Sequence, residues 1–294
     1  MPSGNFAIRT LKSAALFGAA ALYTVYTAGP IAWIASMSLR ATPDIVRAPY
    51  ALPESFRFDK FVAAWTTSNY GVYFWNSAAV VCAAVAIATI VGAMAAHGLA
   101  RHRFPGSRYI GLAIFSTIVF PPQITIIALF QVLVDYGLFD TLAGQSVVDE
   151  YGLFDTLAGL TLVYVAIQLP LTIYLLEAFF ARIPEALYEA ARIDGYGDWE
   201  IFWRITLPVG FPAIATTIIL NFIQLWNDFL YAVVLIADDD RRTLPLGIQK
   251  FMGDQMEDIG MIATGMMIAV VPVIVVYAFF SERLIQGMTA GAVK

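Results

Sequence analysis

The sequence predicts an all-α membrane protein with six bilayer-crossing helices and both termini on the cytoplasmic side. Three observations carry this. Of 294 residues, 60% are hydrophobic and 13% charged, with a mean hydropathy of +0.73, whereas soluble domains average about 45–50% apolar and 25% charged. Six apolar stretches, near 13–37, 73–97, 109–131, 159–181, 210–236 and 259–280, reach the roughly 20 residues a helix needs to cross the hydrocarbon core. With the N-terminus inside, ten Lys and Arg side chains fall in the inner segments and seven in the outer ones, the sense of the positive-inside rule. The whole of 1–294 is expected to be one membrane domain.

The same composition excludes a disordered chain, a disulfide-built module and an ordinary cytosolic enzyme. Cys82 is the single cysteine and, with two histidines, leaves too few of the usual ligands for a zinc site. A net charge of −5 argues against nucleic acid as a partner.

Taken in order, the first stretch follows Arg9 and Lys12, and its apolar run Ser13–Met37 exceeds the roughly 7–15 residues of a cleaved signal, so an uncleaved anchor is expected. The second, with Ala83–Ala96 and Gly92, has the small residues that let membrane helices approach closely. In the third, Pro121 and Pro122 precede Gln123. Each proline removes a backbone hydrogen bond, which gives either ordinary kinking, as at Pro30, Pro170 and Pro272, or a break lining a path. Before the fourth stretch, YGLFDTLAG occurs twice, at Tyr136–Gly144 and Tyr151–Gly159, and reads as a tandem duplication in an outer loop.

The segment from Arg182 to Pro208, between the fourth and fifth stretches, differs in character. Pro184 and Glu185 suit a helix start, and Gly195 a left-handed stop. Asp198 suits the cap of a second short helix, Trp199 to Ile205, closed by Pro208. Two short helices about a glycine turn make a docking knob, with Leu187, Tyr188 and Ile193 as its apolar face and Ala190 and Ala191 admitting a partner backbone. An amphipathic helix lying on the membrane is the competing account.

Asp228 is the carboxylate placed within a span, and Asn221, Gln224 and Asn227 share its neighbourhood. Such groups are candidates for lining a translocation path, with Gln123 as a further one; polar residues gluing helices together are the alternative. No lysine follows a glycine, so a Walker A nucleotide site is absent and the chain is expected to bind no cofactor and to be no enzyme.

Glu189-Ala190-Ala191, Gly195, Ile205 and Leu207-Pro208 together resemble, in type and spacing, the EAA loop of the membrane subunits of ABC importers. Further stretches resemble the G-type subunit of maltose-type carbohydrate importers: Asn76-Ser77, Phe120–Phe130, Leu169–Phe180, Trp226–Asp228, Arg242–Gln249 and Gly287–Val293. The resemblance implies the type I importer permease fold, an inner-membrane location, and a carbohydrate delivered by an extracytoplasmic binding protein. It implies as partners a homologous second permease and two cytoplasmic ATPase subunits, which use the ATP and Mg. Glu189, Ala190, Ala191, Arg192, Asp194, Gly195, Ile205, Leu207 and Pro208 would then couple to the ATPase. Arg242, Leu244, Pro245 and Gly247 would face the binding protein, and the tail Gly287–Val293 would reach the ATPase dimer. A polyol, phosphate ester or amino acid cargo remains open at this point, as does a stand-alone secondary transporter.

Overall fold

The computed structural model describes residues 3–54, 56–102, 104–135, 154–252 and 258–292, and every regular element among them is helical. Two compact units are formed, Met1–Tyr70 with Ile248–Val270, and Gly71–Gly247 with Val271–Lys294.

The first unit holds α1 (Ser3–Ser38), α2 (Thr42–Arg47), α3 (Asp59–Thr66) and the beginning of α13 (Ile259–Ala292). Lys12–Ser38 is long and apolar enough to cross a membrane, and its most apolar window is not buried by the rest of the chain at all. Leu16, Phe17, Tyr23 and Tyr26 are wholly outward, a surface suited to hydrocarbon. Near the end of α1, the Trp33 indole N–H donates to Pro49 O at 3.0 Å and its ring stacks on Tyr50, the kind of aromatic anchor found at a membrane boundary. Buried Arg40 donates to the carbonyls of Asp44, Ala48 and Ala51, folding the chain back beyond α2. Its own carbonyl accepts the Lys60 ammonium at 2.5 Å, and burial holds the Lys60 pKa below its ordinary value. At the start of α13, Asp258 accepts from the Thr42 hydroxyl and the Met261 amide. Burial pushes its carboxyl up, but those bonds and the Lys60 charge outweigh it, and the net shift is downward. Asp258 therefore stabilises this junction above the ordinary carboxylate pKa, a contribution lost as pH falls through the depressed value.

The second unit is built on α4 (Tyr70–Arg101), α5 (Ser107–Ile118), α6 (Pro122–Asp135), α7 (Leu157–Phe180) and α10 (Leu207–Trp226). On α4 the small residues Ala84, Ala88, Ala93 and Ala96 are buried, as the sequence led us to expect. On α7, Leu160, Tyr164, Gln168, Thr172, Leu176 and Phe180 form one buried ridge at four-residue spacing, the row that packs into a neighbouring helix's groove. α10 lies against it.

Among the described residues, five helical stretches are long and apolar enough to span: 12–38, 70–101, 157–180, 198–226 and 259–280. The expected 109–131 stretch is present as two helices, because Pro121 and Pro122 have no amide hydrogen and α5 ends in tightened i→i−3 bonds from Val119 and Phe120. The fifth stretch stops at Trp226 rather than 236. The Asp228 carboxylate there accepts from the Tyr231 and Ala232 amides and starts α11 (Leu230–Leu235). Nor does Pro208 close a helix: it sits in the first turn of α10, where a missing N–H costs nothing.

Asp155 and Thr156, in the second copy of YGLFDTLAG, hold the start of α7. The Thr156 hydroxyl accepts from the Gly159 amide, while Asp155 accepts from the Ala237 and Asp238 amides and pairs with Arg241. The first copy lies outside the described residues. From the other side, the Asn76 amide donates to Asp240 O and Arg242 O, and Ser77 accepts the Leu244 amide. The segment enters α12 (Leu244–Ile248), where a Cβ on Gly247 would stand 2.2 Å from the ring of fully buried Tyr73. Gly247→Ala is accordingly expected to cost about 1–3 kcal/mol, read as a lower melting temperature of the purified protein. An unchanged melting temperature would contradict this packing.

Candidate coupling site

The segment after α7 folds as α8 (Glu185–Ile193), α9 (Asp198–Ile201) and one wide π turn, Phe202–Thr206, running straight into α10. Pro184 caps α8, with Glu185 at its positive end and Arg192 in its last turn. Gly195, at φ +87°, ends it in a Schellman motif: Tyr196 N–H reaches Ala191 O, and Gly195 N–H reaches Arg192 O. Glu200 accepts from the Gly197 amide and sets the start of α9. The π turn closes with Leu207 N–H on Phe202 O, one residue before the missing N–H of Pro208.

The knob and the spans share one core. Tyr188, Ala191, Ile201 and Phe202 pack in a single cluster with Ala93 and Ala96 of α4 and with Ile173, Leu176 and Phe180 of α7. Tyr188 and Ala191 therefore point inward, a correction to their expected partner-facing role, because the buried stripe of α8 runs through positions 188 and 191. Ile205 and Leu207 pack partly buried against the same cluster, and Pro208 is exposed. What faces out is Leu187, Glu189, Ala190, Arg192, Ile193, Asp194 and Gly195. Glu189 makes no ion pair within 4 Å among the described residues, and Arg192 meets Asp198 only at 3.9 Å, an exposed pair of little worth.

A polar network ties this knob to α4. One Arg101 Nη donates to Ile183 O at 2.7 Å and to Phe180 O, while the other meets Glu185 at 3.0 Å. The guanidinium lies 3.9 Å over the Tyr188 ring. Tyr188 OH meets the Thr206 hydroxyl at 3.2 Å, and Thr206 meets His97 Nδ1 at 3.0 Å, all three side chains being buried. Glu185 is well exposed, so the carbonyl and ring contacts carry most of the Arg101 contribution. Sequence reading missed this network; the only signal available was a cation at the end of an apolar run.

The other expected site residues do not gather. Asn221 is buried, its amide donating to Thr172 Oγ1 at 2.8 Å. Asp228 accepts the Tyr164 hydroxyl at 2.8 Å. Asn227 bonds back to Ile223 O, and Gln224 is exposed. Asn221 and Asp228 thus each bond to a side chain of α7. The side chain of Gln123 and those of the tail Gly287–Val293 lie outside the described residues. Of the outer set, Leu244 and Gly247 are buried, Arg242 and Pro245 half-buried, and Ala237, Asp238, Asp240 and Arg241 exposed.

Replacing Arg101 by Lys keeps the charge but loses the planar contact with Tyr188 and the paired carbonyl bonds. Arg101→Lys is expected to lower thermal stability by roughly 1–3 kcal/mol, read as a lower melting temperature of the purified protein. An unchanged melting temperature would contradict the role of these contacts.

Residues 88–289 match the family of binding-protein-dependent transport system inner membrane components. The chain is 36% identical over 275 residues to the diacetylchitobiose uptake system permease protein of Streptomyces coelicolor, covering 93% of this chain and 86% of that one. It is 35% identical over 272 residues to the trehalose transport system permease protein of Mycobacterium tuberculosis, covering 92% and 93%. Its fold matches a chain in the crystal structure of a bacterial ABC transporter involved in the import of the acidic polysaccharide alginate, with a TM-score of 0.74, 21% identity, and 96% and 98% of the two chains covered. With the knob built on the membrane core and the family pattern running through it, this chain belongs to the inner-membrane components of binding-protein-dependent transport systems.

Proposed function

We propose that the chain is the membrane-spanning subunit of an ATP-driven importer for a saccharide, delivered by an extracytoplasmic binding protein. The observation that carries the coupling half of this reading is the shared core: a push on the exposed face of α8 enters α4 and α7 through packed side chains rather than through a hinge. The saccharide half draws on the relatives, named for diacetylchitobiose, trehalose and melibiose, raffinose and stachyose. Two cytoplasmic ATPase subunits, binding ATP and Mg, would seat against Leu187, Glu189, Ala190 and Ile193. A homologous second permease would complete the pathway. Both chain ends would face the cytoplasm, and the acidic surface around Asp238 and Asp240 would face the binding protein. Closing and opening of the ATPases then biases two discrete packings of the membrane helices, which is the physical requirement for alternating access.

The test is uptake by vesicles containing the full assembly, given labelled diacetylchitobiose, trehalose and melibiose with the cognate binding protein. Uptake of at least one saccharide is expected only with internal ATP. Glu189→Lys is expected to lower it at least about tenfold, a coupling energy near 1.4 kcal/mol, without changing the melting temperature, because Glu189 is exposed. Uptake by the permease chains alone, without ATPase, would overturn the reading in favour of a secondary transporter.

A further inference from the structure

Between the last turn of α4, α5 and α7 lies a groove of about 490 Å³, lined in part by Ser107, Arg108, Leu112, Phe115, Tyr174 and Glu177. The rings of Phe115 and Tyr174 stand 5.1 Å apart, tilted by 40°, and make its apolar wall. Glu177 is the one charged residue of α7 and is half-buried. Neither it nor Arg108 forms an ion pair within 4 Å among the described residues.

Two charges of opposite sign, left unneutralised by each other beside an aromatic wall, constrain what fills the groove. Hydrocarbon is disfavoured, because a carboxylate in a span facing lipid tails is costly. An anionic headgroup that pairs with Arg108 is repelled by Glu177 at the same opening. A neutral polyhydroxylated ring satisfies all the groups together: its hydroxyls donate to the carboxylate and accept from the guanidinium, while its C–H face packs on Tyr174 and Phe115. The groove also opens where α4 ends at Arg101, which binds Glu185 of the knob, so it belongs to the same end of the bundle as the coupling surface.

We propose that the α5–α7 groove is a saccharide subsite on this chain, at the cytoplasmic mouth of the path, with Tyr174 as the stacking platform and Glu177 and Arg108 as the hydroxyl-binding pair. This rests on the saccharide-importer reading. It also places the polar contacts with cargo on α5 and α7, away from Asn221 and Asp228, whose side chains bond to Thr172 and Tyr164.

The test uses the complete transporter in vesicles, in a Cys82→Ser background carrying Leu112→Cys. A water-soluble maleimide is expected to modify that cysteine, and millimolar amounts of the transported saccharide among the three labelled ones to slow the modification. In a separate variant, Tyr174→Ala is expected to lower uptake about tenfold, near 1.4 kcal/mol, with ATP hydrolysis stimulated by the loaded binding protein kept within about twofold. Tyr174→Phe is expected to keep most of the uptake, since the ring remains. Absence of modification in the assembled transporter would mean that lipid or the second permease covers the groove, and the proposal falls. Modification at a rate the saccharide does not alter overturns it too, as does normal uptake by Tyr174→Ala. If the unsubstituted transporter carries none of the saccharides, the reading of the cargo fails first, a result separable from any effect of the variants.

Discussion

The arrangement of the second unit depends on one guanidinium. Arg101 ends α4, donates to the carbonyls of Phe180 and Ile183 where the chain leaves α7, and lies flat on Tyr188 of α8. The end of α4 thus meets the distant α7–α8 junction on a single side chain that cannot lose its charge. Around it, Tyr188, Thr206 and His97 continue the connection to the start of α10. Without that junction, α8 would be an amphipathic helix with a buried stripe only two residues wide. With it, the knob is a lateral extension of the bundle.

Proline and polar caps then decide where the bundle is continuous. Pro170 lies inside α7 and leaves it running, and Pro212 does the same in α10. The adjacent pair Pro121 and Pro122 removes two successive donors and divides α5 from α6. At Asp228 the chain stops for a different reason, a carboxylate offering the Tyr231 and Ala232 amides a better partner than the preceding turn. Between them, these positions leave the helices of the second unit with discrete ends rather than gradual bends.

Much of this was legible in the residues. Apolar runs located the five long apolar helices because the bilayer demands length and composition alone, and Gly195 marked the left-handed turn because few other residues adopt φ +87° cheaply. The outward face of α8 was harder, since Tyr188 and Ala191 look as available as Leu187 and Ala190 until α4 and α7 are in place. Asn221 and Asp228 were hard to read for the same reason: a polar residue in a span is costly wherever it points, and the sequence does not name the partner, Thr172 or Tyr164, that it bonds. Gly247 lies buried against the Tyr73 ring and the Leu244 amide bonds to Ser77, contacts between residues more than 160 positions apart. Contacts of that range leave no periodic trace in a sequence.

The Asp155-Thr156 pair at the entrance to α7 bears on how such a chain tolerates change. Thr156 caps the helix and Asp155 fastens the segment at Ala237–Asp238, and both belong to the copy of the repeated nonapeptide that adjoins α7. A duplication whose unit carries the junction's own fasteners rebuilds that junction wherever the new boundary falls. The inserted length is then confined upstream, and the register of the buried ridge from Leu160 to Phe180 is inherited unchanged. Loop growth at this point is thus uncoupled from helix packing, which gives this region a route to diversify without any repair elsewhere in the bundle.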